Sequence, residues 1–335
     1  MAITIKHIAE QVGVSKQAVS YALNNKPGQV SDSTRKKIIK TAQEMGYRPN
    51  WRARSFARKR SQIIGLVYGR PAHYIEQSQL VSHLVQRLSE IDHELLLIPA
   101  MGPVEKWAHK LRDGRVDGCL VSHPMPLGLD TFVAEHQLPA VFANLKSDLP
   151  VPQICFDDVT GARLAVEHLL ELGHRRITYY CMPKRHGEHY SNEDRLQTYR
   201  RMMRKAGLDQ HVDIVVEDQD DYAQRLAELD PSARPTAILA YNDLDAVALM
   251  RELWVRGIEV PRDLSLMGFN DDVARQSSPP LTTVATPIED MVDQCVDLLM
   301  EQIGQSEDRP ERNIQPVVLP ETLIVRDSTC VLPSD

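Results

Sequence analysis

Aromatic residues make up only 5% of this 335-residue chain, and its five cysteines lie far apart with no CxxC pair. Cys119, Cys155, Cys181, Cys295 and Cys330 therefore read as reduced, mostly buried thiols, not as a zinc site or disulfide framework. No apolar run is long enough to span a bilayer, and no signal-peptide core stands at the start, so the expected location is the cytoplasm. GxGxxG, the Walker phosphate loop, HExxH and GxSxG are all missing, which leaves no motif for an enzyme, a cofactor or a metal. Fold alone would not exclude catalysis.

What is present is charge, unevenly divided. The net charge is −7, yet residues 1–60 carry 13 Lys and Arg against 3 acids, and residues 61–335 carry 26 against 43. A head of +10 on a body of −17 is the electrostatic footprint of a modular nucleic-acid binder. The length suits two or three domains better than one small core.

The head opens with two short amphipathic patterns. Thr4 can cap a helix with Ile5, Ile8, Ala9 and Val12 on its apolar face; Gly13 supplies the turn; Ser15 can cap a second helix with Ala18, Val19, Ala22 and Leu23 inside. This is the pattern of a helix-turn-helix, whose second helix enters the DNA major groove. An ordinary helical hairpin in a core has the same pattern. In the first reading Lys16, Gln17, Ser20 and Tyr21 face outward, and Lys and Gln can hydrogen-bond base edges. A third helix is expected over 33–45 with Ile38, Ile39, Ala42 and Met45 on its apolar face and Gly46 ending it. Arg35, Lys36, Lys37 and Lys40 lie on its polar side, as phosphate contacts or simply solvated charge. The basic segment after Pro49 lacks the apolar content to fold alone.

The wording of the head is more specific than its pattern. Val12-Gly13-Val14-Ser15-Lys16, then Val19-Ser20, Asn24-Asn25, Val30-Ser31, Thr34-Arg35, Gly46-Tyr47-Arg48-Pro49-Asn50 and Ala53-Arg54-Ser55 resemble the N-terminus of the lactose/galactose repressor family. The resemblance implies an all-α helix-turn-helix DNA-binding domain over 1–48, with Thr4, Ser15, Lys16, Gln17, Ser20, Tyr21 and Asn24 at the DNA. It also implies a hinge helix over 49–60 that folds on the operator. There Arg54 lies in the basic run and Phe56 takes the place of the family's minor-groove leucine, a wedge role open to Phe. Tyr21 departs from the family, which often has a guanine-reading Arg there, so the usual operator cannot be assumed.

From Ile63 onward strands and helices alternate, which implies parallel sheets with helices on both faces. Strands are expected at 63–67, 94–99, 118–121, 139–142 and 177–181, with helices from Leu80 to Ile91, near 104–112 and through Ala165, Leu169 and Leu170. Glu171-Leu172-Gly173-His174, Tyr241-Asn242-Asp243, Met267-Gly268-Phe269-Asn270-Asp271 and Pro279-Pro280-Leu281-Thr282-Thr283 extend the family resemblance over nearly the whole chain. They imply an α/β effector and dimerisation domain over 61–335, resembling the periplasmic binding proteins. Its two parallel-sheet subdomains are expected at about 61–160 with 291–320, and about 161–290 with 321–335.

In open α/β sheets ligands bind beyond the carboxyl ends of the strands. That places Arg70, His123, Asn144, Asn242 and Asn270 in the cleft, and the resemblance adds Arg195 and Tyr222. Asn144 and Asn270 stand where several relatives have Asp. An amide donates, accepts and carries no charge, which suits a neutral polyol or an acidic group better than a cation. The expected function is a transcriptional regulator, acting as a repressor, that binds a palindromic double-stranded DNA operator as a homodimer and responds to a small molecule, a sugar or sugar derivative. The competing reading is a solute-binding or enzymatic α/β protein with an incidental helical extension. The last residues hold no terminal leucine heptad, so a dimer is favoured over a tetramer.

Overall fold

The computed structural model describes every residue except 1–2, 24–27, 48–59, 70–74, 113, 124, 127, 184–188, 305–314 and 333–335. The described chain forms two compact units, residues 1–61 and 62–335. In the first, Gly13 ends the helix Ile5–Val12 at φ 78°, a conformation a residue without Cβ adopts cheaply, and its N–H donates to the Ala9 carbonyl at 2.9 Å. The Ser15 hydroxyl oxygen then accepts from the Ala18 N–H at 3.0 Å and starts the helix Lys16–Leu23. The third helix, Asp32–Glu44, begins one residue earlier than expected because Ser31 caps it, accepting from the Thr34 N–H at 3.3 Å. Ile8, Ala9, Val12, Val19, Ala22, Ile38 and Ala42 meet in one small core. Ile39, expected on the same apolar face, is 38% exposed; one residue beyond Ile38 turns it by about 100° onto the shoulder of the helix.

The second unit contains twelve described strands: β1 Ile63–Tyr68, β2 Glu94–Pro99, β3 Gly118–Ser122, β4 Ala140–Ala143, β5 Gln153–Phe156, β6 Ile177–Cys181, β7 Asp213–Val216, β8 Ala237–Ala240, β9 Ser265–Asn270, β10 Thr282–Ala285, β11 Val317–Leu319 and β12 Thr322–Ile324. They form two six-stranded sheets, ordered β11-β5-β4-β3-β1-β2 and β12-β10-β9-β8-β6-β7. All pairings are parallel except that of β12 with β10. Alternation within a buried strand explains how each sheet is covered on both faces. Ile64, Leu66 and Tyr68 of β1 pack with Leu84 and Leu88 on one side, while Val67 packs with Trp107, Leu111 and Phe142 on the other.

Among the described residues the chain passes between the sheets three times. After β5 the helix Asp158–Glu171 packs Ala162, Ala165, Val166 and Leu169 on the second sheet. After β10 the helix Ile288–Gly304 returns Met291, Val292, Cys295, Val296 and Leu299 to the first. The third crossing is the short link between β11 and β12, which carries Glu321. The helix expected near 104–112 is instead two 3-10 turns, Val104–Lys106 and Ala108–Leu111. Trp107, only 2% exposed, leaves helical geometry between them at φ −125° so that its ring enters the core.

Candidate DNA-binding face and effector cleft

On the head, Lys16 and Gln17 are exposed in the first turn of the helix Lys16–Leu23, and Ser20 and Tyr21 are half-buried further along it. The Gln17 Nε2 donates to the Tyr21 hydroxyl at 2.7 Å, so these two side chains form one polar unit four residues apart. Ser15 and Thr4 sit at helix starts: Ser15 is a cap, and the Thr4 N–H donates to His7 Nδ1 at 3.2 Å. Lys36, Lys37 and Lys40 are exposed on the third helix, although Lys40 also lies 3.8 Å from Glu44. Asn24, Arg54 and Phe56 lie outside the described residues, and so does Arg70.

In the body, Asn144 directly follows β4 and Asn270 ends β9; both have positive φ, 53° and 101°. Asn is one of the few side-chain-bearing residues that tolerate this region, because its short amide bonds locally. Asn144 is one point at which the two lobes meet. Its carbonyl accepts from His189 Nε2 at 2.9 Å, and its side-chain oxygen accepts from the Tyr190 hydroxyl at 2.5 Å. Since a carbonyl only accepts, Nε2 must carry the His189 proton. Nδ1 is then the acceptor, taking the Ser191 N–H at 3.2 Å and its hydroxyl at 2.7 Å. The Ser191 oxygen in turn lies 3.1 Å from the Tyr241 hydroxyl. Burial, then the neighbouring His123, pushes His189 down to about 3, so the ring is neutral at ordinary pH. His123 meets it edge-on, with ring centroids 4.5 Å apart.

Arg195 lies one turn beyond Ser191 on the helix Tyr190–Lys205 and is 3% exposed. Its Nε donates to Asp158 Oδ1 at 2.7 Å and one terminal nitrogen to the Tyr241 carbonyl at 2.7 Å. The other terminal nitrogen is shared between Asn270 Oδ1 at 3.4 Å and Glu321 Oε1 at 3.5 Å. The guanidinium rests 4.1 Å above the Phe269 ring. Burial opposes its charge, but Asp158 and Glu321 outweigh that and hold it protonated. Glu321 is pushed up to about 8, first by burial and then by Asp158 and Asp157, against the pull of Arg195. Asp158 is also raised by burial.

The structure thus brings His123, Asn144, Arg195 and Asn270 into one connected neighbourhood. Asn242 has a structural part: it is 1% exposed and caps the helix Asp243–Val255, accepting from the Asp245 N–H at 2.8 Å. Tyr222 requires correction. It is 1% exposed in the core between the helix Gln219–Glu228 and the second sheet, stacked on Tyr180 at 5.2 Å, because Tyr222, Ala223 and Leu226 form that helix's inner face. An aromatic at helical spacing with apolar neighbours is core, not a stacking platform. Conversely, His189, Tyr190, Ser191, Tyr241 and Glu321 join the site without a motif in the sequence that marks them as part of it. Ser191 and Arg195 share a helix face by their spacing, which was a usable signal; Glu321 offered none. A pocket of about 440 Å3 opens beside the crossings, between Lys146, Gln153, Asp157, Asp158, Asp194 and Val318. There Lys146 and Asp194 pair at 2.6 Å.

Comparison with known proteins gives this geometry a context. Residues 4–50 match the model of bacterial regulatory proteins of the lacI family, and residues 166–329 match a periplasmic binding protein-like domain. The HTH-type transcriptional regulator DegA of Bacillus subtilis (strain 168) is 33% identical over 99% of this chain and 99% of its own length. The chain belongs to the lacI family. The fold of this lacI-family regulator matches that of the lac repressor dimer bound to operator and the anti-inducer ONPF, with a TM-score of 0.80 and 26% identity over 98% of this chain and 100% of that one. It also matches the transcriptional regulator CelR in complex with cellobiose, with a TM-score of 0.67 and 27% identity over 97% and 99%. A lacI-family regulator is a DNA-binding transcription regulator, and the matched residues 4–50 contain all three helices of the head.

Proposed function

We propose that this regulator is a repressor that binds a palindromic operator as a homodimer and is controlled by a neutral carbohydrate held between its two lobes. A helix-turn-helix head on a two-sheet body with a polar network at the strand ends is the observation that carries this reading. Domain roles follow the chain: head to about residue 48, hinge to residue 60, then an effector body of two subdomains. Lys16, Gln17 and Tyr21 face the major groove, Asn24 stands close to the backbone or a base edge, and Arg54 and Phe56 act in the hinge. The solved relatives with an operator or cellobiose support both ligands. Curated relatives that are transcription regulators support a non-enzymatic role.

The groups that bond to Asn144 are uncharged, since His189 is neutral and Tyr190 meets it through a hydroxyl, while Lys146 over the Tyr190 ring is paired with Asp194. Arg195 is countered by carboxylates of the protein itself. Such a site suits hydroxyl groups that both donate and accept.

Selection from a palindromic DNA library at two salt concentrations, with and without a panel of sugars, tests the reading. The expected result is steeply salt-dependent retention of one palindrome that a sugar modulates. In the same selection Gln17→Ala should cost about 1–3 kcal/mol and relax one base pair per half-site. Retention without sequence preference would sink the proposal.

A further inference from the structure

Where the chain crosses between the lobes, the structure buries more negative charge than positive. Asp158 opens the helix after the first crossing, and Glu321 stands in the third. Both side chains are almost wholly enclosed, at 1% and 0% exposure, and both reach Arg195 on the second-sheet lobe. Each uses one oxygen for the guanidinium. Among the described residues, Asp158 Oδ2 and Glu321 Oε2 have no hydrogen-bond partner. Room for Glu321 exists only because residue 161 is glycine: a Cβ there would lie 1.7 Å from Oε2. One guanidinium thus serves two enclosed carboxylates, and an enclosed charge without a partner is costly. A proton on one of them removes that cost.

We propose that Glu321 is a positioning residue of the cleft, whose protonation decides whether Arg195 is clamped to the chain crossings or turned toward the strand-end amide of Asn270. The geometry supports this directly. The same terminal nitrogen of Arg195 stands between Glu321 Oε1 and Asn270 Oδ1 at nearly equal distances, 3.5 and 3.4 Å. An ionised Glu321 draws it to the crossing; a neutral one leaves it to Asn270 and to a ligand beside it. Charged and titratable groups around the clamp are few. Arg195, Asp157 and Asp158 face Glu321; Tyr179 and Tyr241 flank Arg195; Asp194 and Lys146 act on Asp158. Their balance favours the protonated form of Glu321 near neutrality, which makes the clamp sensitive in the physiological pH range.

The proposal uses the reading of the cleft as an effector site only for its consequence, and its test needs no effector. The full chain, at fixed concentration, is unfolded in urea from pH 5 to 9, as the parent and as Glu321→Gln. A carboxyl whose folded value is raised to about 8 stabilises fully below its ordinary value and loses that contribution as pH rises toward 8. The parent's folding constant should therefore fall at least about tenfold more than the variant's between pH 6 and 8. Infrared spectra should show a buried protonated carboxyl band that the parent loses across the same range and Glu321→Gln lacks. The difference between parent and variant separates Glu321 from Asp243, another buried acid whose value is raised, chiefly by burial. Parallel pH profiles would overturn the proposal. If Glu321→Gln does not fold, the parent decides: no protonated band disappearing between pH 6 and 9 overturns it equally.

Discussion

The two lobes of the body share strand order and layer plan, yet they are filled differently. Among the described residues, each sheet is enclosed by two apolar clusters, and the first carries only Ser122 and Gln153 as buried polar groups on its strands. The second holds Thr178, Ser265, Thr282 and Thr283 within its strands, and Arg195, Asn242, Asp243, Asp245 and Ser328 against them. Asp243 shows the style of that lobe: Oδ1 accepts from the Thr283 hydroxyl at 2.6 Å and Oδ2 from the Asp272 N–H at 3.0 Å. Apolar burial is non-directional and tolerant of small shifts, whereas a buried polar network holds one geometry and penalises any half-made state. The second lobe thus adds directional constraints to an apolar core comparable with that of the first. Arg195, Asp158 and Glu321 lie where one passes into the other.

The largest effect that would separate the lobes comes from Arg195→Ala. It leaves the enclosed Asp158 and Glu321 without their cation and should cost about 3–5 kcal/mol. The cost should shrink as pH falls, because Glu321 and then Asp158, both raised by burial, take up protons. In the first lobe Leu84→Ala should cost about 2–4 kcal/mol, with the same value at pH 6 and pH 8, since a cavity does not titrate. Urea unfolding of both variants at the two pH values checks this. Equal pH dependence would mean that the lobes do not differ in the way described. A lowered midpoint would also accompany any loss of effector response in Arg195→Ala, so the response must be read at a temperature where the variant is folded.

Legibility followed the same division. The strands of the first sheet could be read from continuous apolar runs such as Ile63-Ile64-Gly65-Leu66-Val67, because a strand buried on both faces is apolar throughout. The head was legible because capping and turn chemistry act within a few residues, as Gly13 and Ser15 show. The cleft was only half legible. Strand ends named Asn144 and Asn270, but the partners that decide their chemistry come from distant parts of the chain. Glu321 meets Arg195 across 126 positions, and His189 meets Asn144 across 45. No local pattern encodes such a meeting. Tyr222 failed for a related reason: its motif position resembled a ligand platform, while its helical neighbours Ala223 and Leu226 turned it inward.

A matched pair of glycines sharpens the comparison at a smaller scale. A Cβ on Gly161 would meet Glu321 Oε2 at 1.7 Å and Val284 Cγ1 at 3.1 Å, so Gly161→Ala must expel Glu321 from the clamp. About 1–3 kcal/mol of destabilisation is expected, largely relieved by adding Glu321→Ala, a non-additivity that marks direct contact. On Gly65 of the first sheet the first obstacle is Ile98 Cδ1 at 3.0 Å, the far end of a flexible apolar side chain. Gly65→Ala should therefore cost less, and no carboxylate substitution should rescue it. Additive behaviour of Gly161→Ala with Glu321→Ala would remove the contact from the account.

The smallest effect at neutral pH, and the one most specific to the joint between the lobes, concerns His189. At pH 7 the neutral ring donates to the Asn144 carbonyl and accepts from Ser191, so His189→Gln should cost only about 1 kcal/mol. Acid changes the balance. Burial and His123 hold the folded value near 3, whereas the unfolded ring titrates near 6.5. Between those values the unfolded chain binds the extra proton, so stability falls as pH drops below 6.5. His168 and His174, both lowered chiefly by burial, add the same trend within the second lobe and tie its C-terminal segment to it. Their contribution remains in the variant. Subtracting the His189→Gln profile from the parent's isolates the joint: the difference should be small and favour the parent at pH 7, then narrow and reverse toward pH 4. A difference that stays constant over this range would show that His189 is protonated alike in both states, and the neutral bridge from Asn144 to Tyr241 would have to be abandoned.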